Sequence, residues 1–172
     1  QGTTSKGIAP CYRDKYARKG ILIGNVDFFR PYIWDEKLHG NILCEGAQGF
    51  WLDITHGNYP YVTSSTTLPY GACSLGFSPK LIRNIYGASK IYDTRVGFDP
   101  LFPETLLLDQ ELVSIINEGK EYGTTTGRVR KVNWLNIDKL IESINISGTN
   151  IIIVSKIDVL ETLKLFKLIH NE

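Results

Sequence analysis

Apolar and polar residues are distributed along the chain in short bursts. In residues 103–118, Leu108, Leu112, Ile115 and Ile116 recur on one side, which predicts an amphipathic helix. Residues 137–144 repeat that pattern. Residues 80–86 place Leu81, Ile82 and Ile85 at helical spacing behind Ser78-Pro79, a favourable helix start. Residues 12–19 spell a short basic helix stopped by Gly20. Three segments read as strands: residues 41–45 as a buried strand entering a glycine loop, residues 90–96, and the mostly apolar residues 150–154, followed by a turn at Lys156-Ile157-Asp158. Residues 25–40 are mixed and aromatic, and residues 50–65 are loop-like. Strands alternating with helices predict an α/β fold, with a mainly parallel central sheet flanked by helices. No internal repeat is visible.

Composition narrows the function classes. The chain has 172 residues, 42% hydrophobic and 22% charged, the profile of one soluble globular unit. A net charge of +1 argues against a broad nucleic-acid or anionic-membrane surface, so neither is expected as a partner and any anion binding is local. No apolar run approaches the length of a membrane span. Cys11, Cys44 and Cys73 show no CxxC spacing, which reads as a reduced, cytoplasmic compartment without structural zinc. The chain contains no methionine and opens on QGTTSKG without a preceding strand, so an interior or processed piece of a longer protein is expected.

Four clusters carry candidate chemistry. GTTSKG, residues 2–7, combines glycines with hydroxyls and reads either as a phosphate-approaching loop or as a polar turn; its spacing is not that of a P-loop. In EGAQGFWLDITHGNYPYVTSSTT, residues 45–67, a glycine turn presents Gln48, whose carboxamide both donates and accepts and suits a base edge. A run of hydroxyls from Thr63 to Thr67 follows. Asp53 and His56 read as turn-stabilising rather than catalytic, and Trp51, Tyr59 and Tyr61 as packing residues. In GTTTGRVRK, residues 123–131, Arg128 and Arg130 sit two apart and share a face if the segment is extended. Two guanidinium forks can hold a carboxylate or phosphate, with Thr124, Thr125 and Thr126 adding hydroxyl donors; the alternative is a solvated charged edge. Lastly, residues 151–154 deliver Lys156 and Asp158 at the carboxyl end of a strand, where ligands of open α/β sheets bind. One carboxylate accepting from both N1–H and the N2 amine selects guanine over adenine; a solvated turn is the plainer reading.

Together, GTTSKGIAPCYRDKYARKG, EGAQGFWLDITHGNYPYVTSS, DTRVG, EYGTTTGRVRKVNWL and SKIDVL resemble, in order, the motifs of adenylosuccinate synthetases, over most of the chain. The resemblance implies a ligase of purine nucleotide biosynthesis that makes adenylosuccinate from inosine monophosphate, aspartate and GTP with Mg2+. By motif it implies that Thr4 and Thr63 contact the nucleotide 5′-phosphate and that Gln48 sits at the purine. Arg18 would reach that phosphate from the other subunit of a homodimer. Thr125, Thr126 and Arg128 would close on aspartate, with Arg128 also near the ribose. Arg130 would see both aspartate and the GTP phosphates, and Lys156 with Asp158 would read guanine. The family's glycine-rich phosphate loop with its catalytic aspartate, its early histidine acid and its C-terminal guanine-pocket segment have no counterpart here, so the isolated chain is expected to be inactive. The stretch from Gly20 to Glu45 is short for the family, TTLPYGACSLG and GFDPLFPET replace other segments, and Val129 stands where a cation is common. Two alternatives follow: a ligase acting on deoxyguanylate to give 2-aminoadenylosuccinate, and a non-catalytic nucleotide-binding module.

Overall fold

A computed structural model describes residues 5–124 and 127–170. Its order is α1 (Ile8–Tyr16), β1 (Tyr86–Lys90), β2 (Tyr92–Arg95), α2 (Gln110–Gly119), β3 (Lys131–Asn136), α3 (Ile137–Ser147), β4 (Ile151–Ser155), α4 (Ile157–Leu163) and β5 (Leu168–Ile169), with short 3-10 turns between. β1 pairs in parallel with β4, Tyr86 opposite Ile151 and Lys90 opposite Ser155. β2 pairs antiparallel with β3, and β3 in parallel with β5. Only Ile91 separates β1 from β2, and its N–H still donates to Ser155 O at 3.0 Å. One bent segment therefore serves two sheets. The α/β class with parallel pairing and flanking helices is the predicted one.

The core forms where α2 and α4 cover the centre of β2 and β3: Tyr92, Leu112, Ile115, Ile116, Val132, Val159 and Leu160 are all buried together. α2 starts at Asp109, whose carboxylate accepts from the N–H groups of Glu111 at 2.9 Å and Leu112 at 3.1 Å. It stops at Lys120, in the left-handed region at φ 51°. α3 is capped by Asn136, which accepts from Lys139 N–H at 3.0 Å, and ends at Gly148, φ 71°.

Several expected elements are corrected. Residues 41–45 form no strand: Leu43 is 86% exposed, and nothing described pairs with it. An apolar run without a partner ladder has no reason to be extended and buried. Residues 80–86 give only a 3-10 turn, Pro79–Leu81. The helix does not continue because Asn150 captures Ile85: its side chain accepts from Ile85 N–H at 2.7 Å, and Asn150 and Ile151 N–H donate back to Ile85 O. Residues 103–118 divide into the 3-10 turn Glu104–Leu108 and α2, because Asp109 is extended and caps the second piece; Leu108 stays exposed. α1 lies earlier than residues 12–19 and is ended by Arg18 in the left-handed region, φ 58°, before Gly20 is reached. Lys156 does turn, at φ 65°, but Ile157 and Asp158 already belong to α4, whose Val159 and Leu160 bury.

The α2 stop is close-packed. A Cβ on Gly119 would lie 2.5 Å from the Tyr92 hydroxyl oxygen. Gly119→Ala is expected to destabilise the fold by about 1–3 kcal/mol through overpacking. Thermal unfolding of the variant checks this, and a midpoint equal to wild type would show that Tyr92 yields at no cost.

Candidate functional site

The parallel pairing of β1 and β4 brings two carboxyl ends to one edge, and the side chains after them carry charge. Lys90 closes β1 and Lys156 follows β4. Both meet the end of α2. Lys156 Nζ donates to Gly119 O at 2.8 Å. Lys90 Nζ donates to Glu121 Oε2 at 2.7 Å, Arg130 Nη1 donates to the same oxygen at 3.2 Å, and the Tyr92 hydroxyl donates to Oε1 at 2.7 Å. Glu121 is 1% exposed. Burial pushes its carboxyl up, but hydrogen bonds from Lys90, Tyr92 and Arg130 and the charge of Lys90 hold it below the usual range. Burial pushes the Lys90 ammonium down, only partly countered by Glu121. Burial and the Glu121 carboxylate push the Tyr92 phenol up.

The loop bearing Arg128 and Arg130 is pinned at its base. Tyr122 bridges Val129, Gly123 N–H donates to Arg128 O at 2.8 Å, and Arg130 N–H donates to Glu121 O at 2.9 Å. Gly127 stands at φ 64°, where a side chain is strained. Arg128 is exposed. Thr125 and Thr126 lie outside the described residues, as does Thr4.

Residues 45–67 are built around a different carboxylate. Asp53 is fully buried. Its Oδ1 accepts from the N–H groups of Thr55 at 2.8 Å and His56 at 3.1 Å; its Oδ2 accepts from the Thr66 hydroxyl at 2.9 Å and Thr67 N–H at 2.7 Å. Burial pushes this carboxyl up, and those donors, Thr67 and Thr55 foremost, outweigh it and hold it below its ordinary value. The turn-stabilising reading of Asp53 thus matches its contacts. Gly57 allows the tight turn, since a Cβ there would sit 2.6 Å from the carbonyl oxygens of both Asp53 and Trp51. Gln48 is exposed in the left-handed region at φ 63°, and Thr63 N–H is tied to Leu52 O at 2.8 Å. Trp51 packs edge-on to Phe50 and under Lys139 of α3, and Tyr61 against Phe98. Tyr59 does not pack as expected: it is 73% exposed, beside the cis Tyr59–Pro60 bond.

A third buried charge links this loop to the sheet. Arg95, at the end of β2, donates from Nη2 to Tyr61 O. Its Nε lies 3.3 Å from Asp99 Oδ2, an ion-pair distance without hydrogen-bond geometry, while Asp99 Oδ1 accepts from Asn58 Nδ2 at 2.7 Å.

Of the sequence-predicted site residues, the structure gathers Arg130 and Lys156 at the Gly119–Glu121 corner. Asp158 is exposed in the first turn of α4 beside them and acts electrostatically on Tyr92. Gln48 and Thr63 share the Asp53 loop, and Arg18 is exposed after α1; none joins the contacts of the corner. Lys90, Tyr92 and Glu121 escaped the sequence reading. Their available signals were the two-residue spacing of Lys90 and Tyr92 within the expected strand 90–96, and a glutamate two residues before the GTTTG loop.

The arrangement is that of an α/β protein with a cationic corner at the carboxyl end of its parallel strands. A family model for adenylosuccinate synthetase matches residues 32–171. The chain is 34% identical over 220 aligned residues to the adenylosuccinate synthetase of Thermodesulfovibrio yellowstonii, covering 96% of this chain and 51% of that protein. To that of Clostridium novyi it is 38% identical over 210 residues, covering 92% and 49%. Among solved structures it resembles a fully ligated adenylosuccinate synthetase from Plasmodium falciparum, with a TM-score of 0.78 and 31% identity, covering 92% of this chain and 48% of that one. The chain belongs to the adenylosuccinate synthetase family. It spans about half the length of the curated relatives it matches.

Proposed function

We propose that the protein, at its natural full length, is a GTP-dependent carbon–nitrogen ligase that joins aspartate to the 6-position of inosine monophosphate, giving adenylosuccinate. Family membership supports the class, and one observation carries the reading: Arg130 and Lys156, assigned by motif to the aspartate–phosphate side and the guanine side, converge on one corner at the end of α2. In this reading residues 1–172 are part of a single synthetase fold. The Asp158 carboxylate accepts from the guanine N1–H and N2 amine, and the Lys156 stem lies along the base. Thr125, Thr126, Arg128 and Arg130 hold the aspartate carboxylates, with Arg130 also turned toward the GTP phosphates. Gln48 reads the purine edge, Thr4 and Thr63 donate to the 5′-phosphate, and Arg18 extends to that phosphate in the other subunit of a homodimer.

Magnesium is implied by the family resemblance. Among the described residues, no group of three His, Cys, Asp or Glu side chains could hold a metal ion, so no metal ligand is assigned to this chain and no step is routed through one. No helix among the described residues is long and apolar enough to cross a membrane.

The direct test supplies the full-length protein with inosine monophosphate, GTP and aspartate and follows adenylosuccinate by absorbance. Product formed with an equal amount of GDP, and a preference for GTP over ATP, is the expected result. Folded protein that makes no product overturns the reading, and product from deoxyguanylate alone reassigns the nucleotide substrate.

A further inference from the structure

We propose that Glu121 is a positioning residue for Arg130, presetting its guanidinium for the anionic ligand it receives; this inference rests on the ligase reading above. Glu121 grips Arg130 twice. Its carbonyl accepts Arg130 N–H at 2.9 Å, and its Oε2 accepts from Arg130 Nη1 at 3.2 Å. Both grips sit at the base of the glycine-flanked loop, below the Tyr122–Val129 bridge. An arginine at such a place has many rotamers, and only a fixed partner narrows them before the ligand arrives.

Glu121 is itself immobilised. It is 1% exposed, its N–H donates to Ile116 O at 2.9 Å, and Tyr92 fixes the orientation of the carboxylate through Oε1. Gly119 leaves no room for a side chain against that hydroxyl. The charge arithmetic at this carboxylate leaves a surplus. Lys90 and Arg130 bring two positive charges to one negative, so one charge remains for an incoming anion. Among the described residues, Arg130 commits Nη1 to Glu121, and its side chain remains 29% exposed and accessible to a ligand.

The test is Glu121→Gln in the full-length protein, with kinetics and thermal unfolding measured side by side. The amide presents N–H groups to at least one of the donors that the carboxylate received. The KM for aspartate is expected to rise about tenfold or more, while the KM for inosine monophosphate changes less than about twofold. In an Arg130→Ala background the same substitution should add no further rise, because the effect passes through the arginine. A purely structural role would instead lower the melting temperature and kcat and leave the aspartate KM unchanged. An unchanged aspartate KM, or a rise that persists without Arg130, overturns the proposal. If Glu121→Gln does not fold, Tyr92→Phe takes the place of that test. It frees Oε1 while keeping the ring, and is expected to raise the aspartate KM about threefold, whereas no change overturns the proposal. Wild-type protein that makes no adenylosuccinate overturns the ligase reading and this inference with it; active wild type with an unshifted variant overturns this inference alone.

Discussion

Replacing Asp53 with asparagine is expected to loosen the whole of residues 45–67. Each oxygen of this carboxylate receives two donors: Thr55 and His56 on one, Thr66 and Thr67 on the other. Whichever way the amide turns, its NH2 faces two of them in a fully buried place. Leaving buried donors unsatisfied costs about 1–3 kcal/mol each, so a local loss of at least about 2 kcal/mol is expected. Amide hydrogen exchange reads it directly: protection at Thr55, His56 and Thr67 should fall about 30-fold or more, about 2 kcal/mol at 1.4 kcal/mol per tenfold. Unchanged protection would show that the loop is held by something other than this carboxylate.

The same group sets an acid dependence. Its folded value lies below the ordinary 3.8, so its contribution is fully present above about pH 4 and is lost as the pH falls through the folded value. Glu121, held below 4.5, acts with the same sign. Asp93, which burial pushes up, acts with the opposite sign. Acid unfolding of the loop should therefore be blunted in Asp53→Asn, where nothing remains at that position to protonate.

In the ligase reading, Arg128→Leu is expected to lower kcat/KM for aspartate severely. A charge-assisted contact closed off from water typically contributes about 2–5 kcal/mol, which is about 30-fold or more in rate. The Arg128 side chain is exposed and belongs neither to the Asp53 network nor to the buried core, so the melting temperature should stay close to wild type. Steady-state kinetics with aspartate varied at saturating inosine monophosphate and GTP check this. An aspartate kcat/KM within twofold of wild type would remove Arg128 from the substrate's contacts.

The helices best read from sequence were those whose signal was complete within a dozen residues. α3 carries its cap at Asn136, its periodicity and its stop at Gly148 in one run. α2 was legible from Leu112, Ile115 and Ile116, but its start was blurred because Leu108 fits the same periodicity and yet lies outside the helix. The failures share a cause. Residues 80–86 have helical spacing, but Asn150, 65 residues beyond Ile85, claims the backbone that the helix would need. Residues 41–45 have strand composition and no pairing partner among the described residues. α4 was hidden behind Lys156, whose left-handed turn resembles an end rather than a beginning.

Sequence alone determined the α/β class, the family, and the chemical types of the candidate residues: hydroxyls, arginines, a carboxamide, and a lysine–aspartate pair after a strand. Those are properties of residue identity and short spacing, and they survive any error in element boundaries. Only the tertiary structure decided which charges meet. That Lys90, Tyr92 and Arg130 share the Glu121 carboxylate, and that Lys156 donates to Gly119 O, depends on β1 and β4 running parallel and on α2 ending beside them. Burial then made Glu121 and Asp53 into hubs. A carboxylate removed from water has to collect its donors from whatever the fold brings within reach, and no local spacing records where those donors come from.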